Sequence, residues 1–426
     1  MSSKPLVGSI VSADVEFIDR RLDMPLRLAS GTITEITEAR ARVRVRYAGI
    51  DSEGRGSIYL SDVWAWPDPA VPHVERDARL REFCVRIAGE LPDLADQPAH
   101  PLELGLRLHD TLAGAAAPDG PPLLARILCG APFDAAIHDA VGRAMKRSAF
   151  ALYDAPAPIP SADAYFPDGD AVAAIRRTLR SPLLQLQAWW VLGRDDDLAT
   201  HKRAIVAGGY TAFKLKLLGG PHPRDDVEWT ARVYEGLRGI GVADPILSAD
   251  ANGGFESAAA VLKYLDELKE ASPKGYAALQ YLEQPTSWDL ASAAFDWRPV
   301  AARKPVVADE GLTGLETLPI LVEQGWSGIA LKTCKGHSLS LVAAAWGRER
   351  GMLLTMQDLT NPGLAAIHAA LFASYVHTVN GVELNSPQYT PGANEEWLPR
   401  LAGLFRPSGG KHSVPDPHVP GLGSDL

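Results

Sequence analysis

From about residue 180 to residue 386 the chain alternates short apolar runs with longer amphipathic segments, and no other feature narrows its fold so far. The runs read as strands: "LLQLQAWWVLG" (183–193), "TAFKLKLL" (211–218), "PILSAD" (245–250), "LQYLEQP" (279–285), "KPVVADE" (304–310), "SGIALKT" (327–333), "MLLTMQD" (352–358) and "NGVELNS" (380–386). Helical stretches such as "DVEWTARVYEGLRGI" and "ESAAAVLKYLDELKEA" lie between them. The last helix, "NPGLAAIHAALFASYV", offers Asn361 as N-cap and Pro362 as first helical residue. Eight such alternations suit a (β/α)8 barrel. A doubly wound sheet gives the same texture, and periodicity leaves both open.

The first third is different. Residues 5–65 alternate in strand fashion, with "DSEGRG" expected as a turn, and residues 66–130 are rich in Pro and Ala with helical patches. A helix is expected in "PFDAAIHDAVGRAMKRSAFALYD" (131–153). The tail from about residue 390 is rich in Pro and Gly and is expected to pack back on this first part.

With 46% hydrophobic and 22% charged residues, the chain has ample material for a core. Its formal charge of -10 disfavours nucleic acid or an anionic membrane as partner, since neither attracts an acidic surface. A small anionic substrate stays open, because a pocket can oppose the global sign. Three widely spaced cysteines, Cys84, Cys129 and Cys334, yield neither a disulfide framework nor a metal knuckle. No run of apolar residues is long enough to span a bilayer, and the expected compartment is the cytoplasm.

In a barrel of this kind, chemistry sits where strands end and loops begin. Those ends carry Lys214 and Lys216, then Asp250, Glu283, Asp309 with Glu310, and Lys332 with Lys335. The steps from Asp250 to Glu283, to Asp309 and to Lys332 are 33, 26 and 23 residues, each about one βα unit. Three strands therefore deliver one carboxylate each to a common rim. Unpartnered carboxylates would repel and raise each other's pKa values. A divalent cation relieves this, and an all-oxygen donor set favours Mg²⁺, with Mn²⁺ next. Lys214 and Lys216, two residues apart on a strand, point to the same side.

The motifs "FKLK", "SADANGGF", "YLEQP", "VVADEG" and "IALKTCKG", in that order and at βα spacing, resemble those of the enolase superfamily, in particular its muconate-lactonizing subgroup. The resemblance covers about 180–385 well and extends more loosely to the segment before it. It implies an α/β fold: a (β/α)8 TIM-type barrel at 156–388, an N-terminal α+β capping domain at 1–155, and a C-terminal segment at 389–426 that completes the cap. It further implies Asp250, Glu283 and Asp309 as Mg²⁺ ligands, and Lys216 and Lys332 as acid/base groups on opposite substrate faces. Lys214 is then a supporting charge.

The reaction implied is removal of the proton α to a substrate carboxylate, through an enediolate. That covers racemisation or epimerisation, cycloisomerisation and syn-dehydration, so the enzyme would be an isomerase or lyase. The base must be neutral, and close cations, Lys214 beside Lys216 and the metal itself, are expected to lower a lysine pKa toward neutrality. Asn252 and Glu310 are candidates for orienting ligands, Lys335 for a structural charge or a partner of Glu310, and Gln357 and Asp358 for substrate contact. The histidines form no cluster. In particular, no His–Asp pair stands at strand ends six and seven, which disfavours a mandelate-racemase-type site. The "WAW" pair, Trp64 and Trp66, could cover the barrel mouth. A homo-oligomer is the expected assembly. The rivals are a Schiff-base aldolase using Lys332 and a catalytically silent barrel that only binds.

Overall fold

The computed structural model describes residues 7–28, 31–94, 97–116, 120–194, 196–221 and 223–426. The chain opens with an antiparallel meander of three strands, β1 (Gly8–Leu28), β2 (Gly31–Tyr47) and β3 (Ile50–Tyr59). Four helices follow: α1 (Asp62–Ala65), α2 (His73–Leu94), α3 (Pro101–Gly114) and α4 (Leu123–Met145). "DSEGRG" is no turn. It lies inside β3, and the chain reverses at Ala48 and Gly49, both in the left-handed region. The glycines serve packing instead. Helix α4 crosses β3 so closely that a Cβ on Gly54 would stand 2.1 Å from the Ala136 carbonyl oxygen. One on Gly56 would stand 2.0 Å from that of Pro132.

The second part begins with α5 (Ala171–Thr178) and β4 (Gln185–Gln187). The apolar run at 183–193 is therefore two strands. β4 pairs antiparallel with β12 (Lys411–Ser413) near the C-terminus, while β5 (Trp189–Leu192) enters the main sheet. That sheet is parallel and runs in strict sequence order: β5, β6 (Ala212–Lys216), β7 (Ile246–Asp250), β8 (Leu279–Glu283), β9 (Val306–Ala308), β10 (Gly328–Lys332) and β11 (Leu353–Gln357). The segment after β11 makes single parallel bridges to both outer strands, Val382 to Ala188 and Glu383 to Gln357.

Helices α6 (Leu198–Gly208), α7 (Arg224–Gly239), α8 (Ala258–Ala271), α9 (Pro273–Ala278), α10 (Arg298–Ala301), α11 (Leu318–Gln324), α12 (His337–Glu349) and α13 (Gly363–Tyr375) alternate with the strands. Local chemistry sets several of their ends. Asp197 caps α6 by accepting from Ala199 N, and Ser257 caps α8 by accepting from Ala260 N. Gly209 and Gly325 close α6 and α11 in the left-handed conformation. The start of α13 departs from expectation: Pro362 takes the N-cap position. Asn361 turns its side-chain oxygen to Tyr59 N of the meander instead, at 2.7 Å, and donates to the Asp358 carbonyl at 2.8 Å. It ties the first part of the chain to the second.

Period-two alternation sorts the strand residues into two environments. Phe213 and Leu215, Leu247 and Ala249, and Ile329 and Leu331 join the large core shared with the helices. Their neighbours Trp189, Ala212, Tyr281, Val307 and Ala330 form a separate small apolar cluster on the other face. The next residues along that face, toward the C-terminal strand ends, are polar: Lys214 and Lys216, Ser248 and Asp250, Glu283, Asp309 and Lys332. An apolar floor thus lies beneath a charged layer.

The C-terminal segment returns to the meander. Gly392 N donates to Asp23, and Arg40 pairs with Glu396 at 2.9 Å. The buried Asp139 of α4 accepts from Leu422 N and Ser424 Oγ. Among the described residues no helix is long and apolar enough to cross a membrane.

Candidate active site

Strand register explains how residues distant in sequence meet. Lys216 lies opposite Asp250 across β6 and β7, and Asp250 lies opposite Glu283 across β7 and β8. Lys332 lies opposite Gln357 across β10 and β11. Asp309 follows β9 directly and is fully buried, as are Asp250 and Glu283.

The lysines interleave with these carboxylates. Lys214 Nζ donates to Glu283 Oε1 at 3.0 Å and Gln357 Oε1 at 2.9 Å, and lies 2.9 Å from Glu383 Oε2 and 3.6 Å from Asp250 Oδ2. Lys216 Nζ lies 2.5 Å from Asp250 Oδ2 and donates to Asn252 Oδ1 at 3.0 Å. Lys332 Nζ lies 2.5 Å from Asp309 Oδ2, and Lys335 pairs with Asp309 Oδ1 at 3.0 Å. Lys335 thus serves Asp309; Glu310 is held elsewhere. Its Oε1 accepts from Asn252 Nδ2 at 2.9 Å and from Trp64 Nε1 at 2.8 Å. Gln357 braces Lys214 and donates to Glu283 Oε2 at 2.6 Å. Asp358 accepts from Thr333 Oγ1 at 3.1 Å and is fully buried.

The electrostatics follow from this packing. Burial alone would lower Lys214 and Lys332, but the carboxylates around them win. Glu283, Glu383 and Asp250 hold Lys214 well above its ordinary value, and Asp309 and Glu310 do the same for Lys332. At these two lysines the acidic neighbours outweigh the basic ones. Burial would raise Asp309, yet Lys332 and Lys335 hold it far below the usual carboxylate range. Lys216 and Lys214 likewise outweigh burial at Asp250 and hold it low. Burial pushes Asp358 well above its ordinary value.

Lys214, Lys216, Lys332, Asn252, Gln357 and Glu383 line a cavity of about 40 Å³. Trp64 of α1 forms part of its wall, with its ring centroid 4.9 Å from Lys332 Nζ. Three non-glycine residues at strand ends sit in the left-handed region: Asn252 at φ 44°, Gln284 at 31° and Leu359 at 51°. Backbone strain of this kind collects at functional sites. Gln284 explains its own: its Oε1 accepts from Asp309 N and Gly311 N, while its Nε2 donates to the carbonyls of Thr286 and Ser287. It fixes the backbone that carries Asp309.

Donor chemistry suits a hard divalent cation, since Asp250, Glu283 and Asp309 offer only carboxylate oxygen, and the buried Glu310 Oε2 beside them has no hydrogen-bond partner among the described residues. Among those residues, no three His, Cys, Asp or Glu side chains stand close enough to enclose a metal as they are. The ammonium groups stand between the carboxylates.

Glu383 and Asn385 belong to this site and were not singled out from sequence, although the run "NGVELNS" was. Glu383 stands in the run at 380–386 at the same kind of strand-end position as the other carboxylates. His337 and His368 are buried on α12 and α13 and do not line the cavity.

The family model described as enolase C-terminal domain-like matches residues 197–426. No curated protein sequence matches the chain. Among solved structures, muconate lactonizing enzyme from Pseudomonas fluorescens, complexed with muconolactone, superposes with a TM-score of 0.66 at 19% identity, over 98% of this chain and 96% of that one. Dipeptide epimerase from Enterococcus faecalis, complexed with Mg and the dipeptide L-Leu-L-Tyr, gives 0.66 at 16% identity over 97% and 99%. N-succinyl Arg/Lys racemase from Bacillus cereus gives 0.65 at 15% identity over 97% and 95%. At these identities the likeness is one of fold.

Proposed function

The chain belongs to the enolase C-terminal domain-like family, and from that premise we propose that it is a Mg²⁺-dependent isomerase or lyase that abstracts the proton α to a substrate carboxylate. One observation carries this reading. Lys216 on β6 and Lys332 on β10, four strands apart in the sheet order, line the same small cavity. A substrate between them would present opposite faces to two proton carriers. We read residues 380–385, bridged to both outer strands, as the eighth stave of a (β/α)8 barrel, with 1–155 and 389–426 forming its cap.

Asp250, Glu283 and Asp309 would hold the metal. Bound there, Mg²⁺ would supply Lewis-acid stabilisation of the charge that develops on the substrate carboxylate. The chain's own groups do the rest. Lys216 gives up or takes a proton at Nζ, with Asn252 fixing its direction. Lys332, held charged by Asp309 and Glu310, donates from the other face or steadies negative charge there. Lys214, saturated by Glu283, Glu383 and Gln357, keeps those carboxylates in place.

The test is exchange of the α-proton in D₂O, followed by NMR with Mg²⁺ over a panel of carboxylic acids. Exchange by the native chain should fall by about 10²-fold or more in Lys216→Ala and Lys332→Ala, the range expected for a lost acid/base group. Undiminished exchange in both variants would reject the assignment.

A further inference from the structure

We infer that Asp134, on α4 in the first part of the chain, caps α12 from outside and so positions Lys332 and Lys335 at the end of β10. The consequence for catalysis rests on the reading above; the positioning itself does not.

Helix α12 starts without a cap of its own. Its N-cap is Gly336, at φ 108°, which has no side chain to offer, so the first N–H groups of the helix need acceptors from elsewhere. Asp134 supplies them. Its Oδ2 accepts from Ser338 N at 2.8 Å and its Oδ1 from Ser338 Oγ at 2.7 Å. With its hydrogen directed to Asp134, the Ser338 hydroxyl accepts from His138 Nε2 at 2.9 Å, one turn further along α4. A carboxylate is also favoured electrostatically at the positive end of a helix. The pair is closely enclosed. A Cβ on Gly105 of α3 would stand 2.0 Å from Asp134 Oδ1 and 2.1 Å from Ser338 Oγ, and one on Gly336 3.1 Å from Asp134 Oδ2.

This clamp reaches the catalytic lysines through a short stretch of chain. Only the turn Thr333–Lys335, Gly336 and His337 separate Lys332 from Ser338. Ser340 Oγ of α12 donates to the Lys332 carbonyl at 3.0 Å. Lys335 Nζ donates to the Asp309 carbonyl and to Asp309 Oδ1, and Lys332 Nζ lies 2.5 Å from Asp309 Oδ2. Both lysines therefore belong to a segment fixed at one end by β10 and at the other by Asp134. A shift of the first turn of α12 would carry the Lys332 carbonyl and Lys335 with it, and disturb both contacts to Asp309. Asp134 bonds to neither lysine among the described residues and acts through Ser338, as a positioning residue.

Lys332 carries its own reporter of position, because its Nζ stands 4.9 Å from the centroid of the Trp64 ring. NMR of the metal-free chain, labelled with ¹³C at lysine Cε, reads that placement as a ring-current shift. The Lys332 signal is assigned by its loss in Lys332→Met. In Asp134→Ala the signal should move toward the ordinary lysine position. Asp134→Asn, whose amide oxygen can still accept from Ser338 N, should leave it in place, although both variants lose stability. Where Asp134→Ala does not fold, Ser340→Ala, which removes the bond to the Lys332 carbonyl, should move the same signal. An unmoved signal in folded Asp134→Ala, or in Ser340→Ala where the first variant fails to fold, would overturn the inference. An equal displacement in Asp134→Asn would overturn it too. α-Proton exchange at saturating acid then reads the consequence: kcat should fall by about tenfold or more in Asp134→Ala, and Asp134→Asn should recover most of it. No exchange by the native chain would reject the proposed reaction, while the Lys332 signal still decides the positioning.

Discussion

Lys216 Nζ lies 2.5 Å from Oδ2 of Asp250, its partner across β6 and β7, and Lys214 Nζ reaches the same oxygen at 3.6 Å. Two ammonium groups on one carboxylate oxygen make Asp250 the electrostatic centre of β6 and β7. They also mean that a cation taking Asp250 competes with both lysines.

That competition predicts a metal-linked stability. Millimolar Mg²⁺ should raise the melting temperature of the native chain by a few degrees, because a ligand at about 100 times its Kd adds about 2.7 kcal/mol. EDTA should reverse the rise. Asp250→Asn should lose it while remaining folded. Differential scanning calorimetry with and without metal makes the measurement, and an equal rise in the variant would place the metal elsewhere.

Removing Lys214 should be more damaging to the fold than removing Lys216. Lys214→Met leaves Glu283 and Glu383 facing each other, buried and uncompensated, and breaking a buried pair in this way costs about 3–5 kcal/mol. Lys216 is the more solvent-reached of the two, with its side chain 14% exposed against 2% for Lys214. Urea unfolding should show the large loss for Lys214→Met, partly restored by Mg²⁺. No restoration would argue against Glu283 as a ligand.

Much of this site was legible because strand alternation and strand-end position are both one-dimensional signals. Lys214, Lys216, Asp250, Glu283, Asp309 and Lys332 sit at period-two positions on the same face as the apolar cluster around Tyr281. Other features depend on contacts that no spacing encodes. Trp64 reaches Glu310 across 246 positions, and Tyr59 N finds Asn361 across 302. The turn expected at "DSEGRG" failed for a related reason. Glycine signals both reversal and close approach, and only the presence of α4 above β3 decides between them.

That close approach can be broken by one methyl group. Gly56→Ala would place Cβ 2.0 Å from a backbone oxygen of α4, which cannot swing aside as a side chain could. The helix must shift, at about 3 kcal/mol by the usual cost of overpacking. Gly89→Ala, inside α2 where nothing lies within 4 Å of the new Cβ, should instead stabilise by about 0.5–1 kcal/mol. Thermal melts of the pair separate the packing effect from helix propensity. Equal shifts in the two variants would refute the close-packing account.

Acid should destabilise the chain through histidines that do not line the cavity between Lys216 and Lys332. His337 and His368 are fully buried between α4, α12 and α13, where burial pushes each down to about 3. His337 packs edge-on to Phe372 and lies against His138, itself pushed down by burial. In the unfolded chain these rings take up protons near pH 6.5, while in the folded chain they stay neutral. Between about pH 6.5 and 3 the unfolded state therefore binds more protons, so stability falls as pH falls. Each ring contributes a loss of about 2 kcal/mol at pH 5. Asp134, which faces His138 and accepts from Ser338, works in the opposite direction. Burial raises it to about 6, so its protonation below that value favours the folded chain and offsets part of the loss. The depressed histidines therefore contribute a positive slope of stability from pH 5 to 7. His368→Leu should flatten that slope, and urea titrations at pH 5 and pH 7 on the native chain and this variant would measure it. A slope unchanged by the substitution would remove His368 from the account of acid sensitivity.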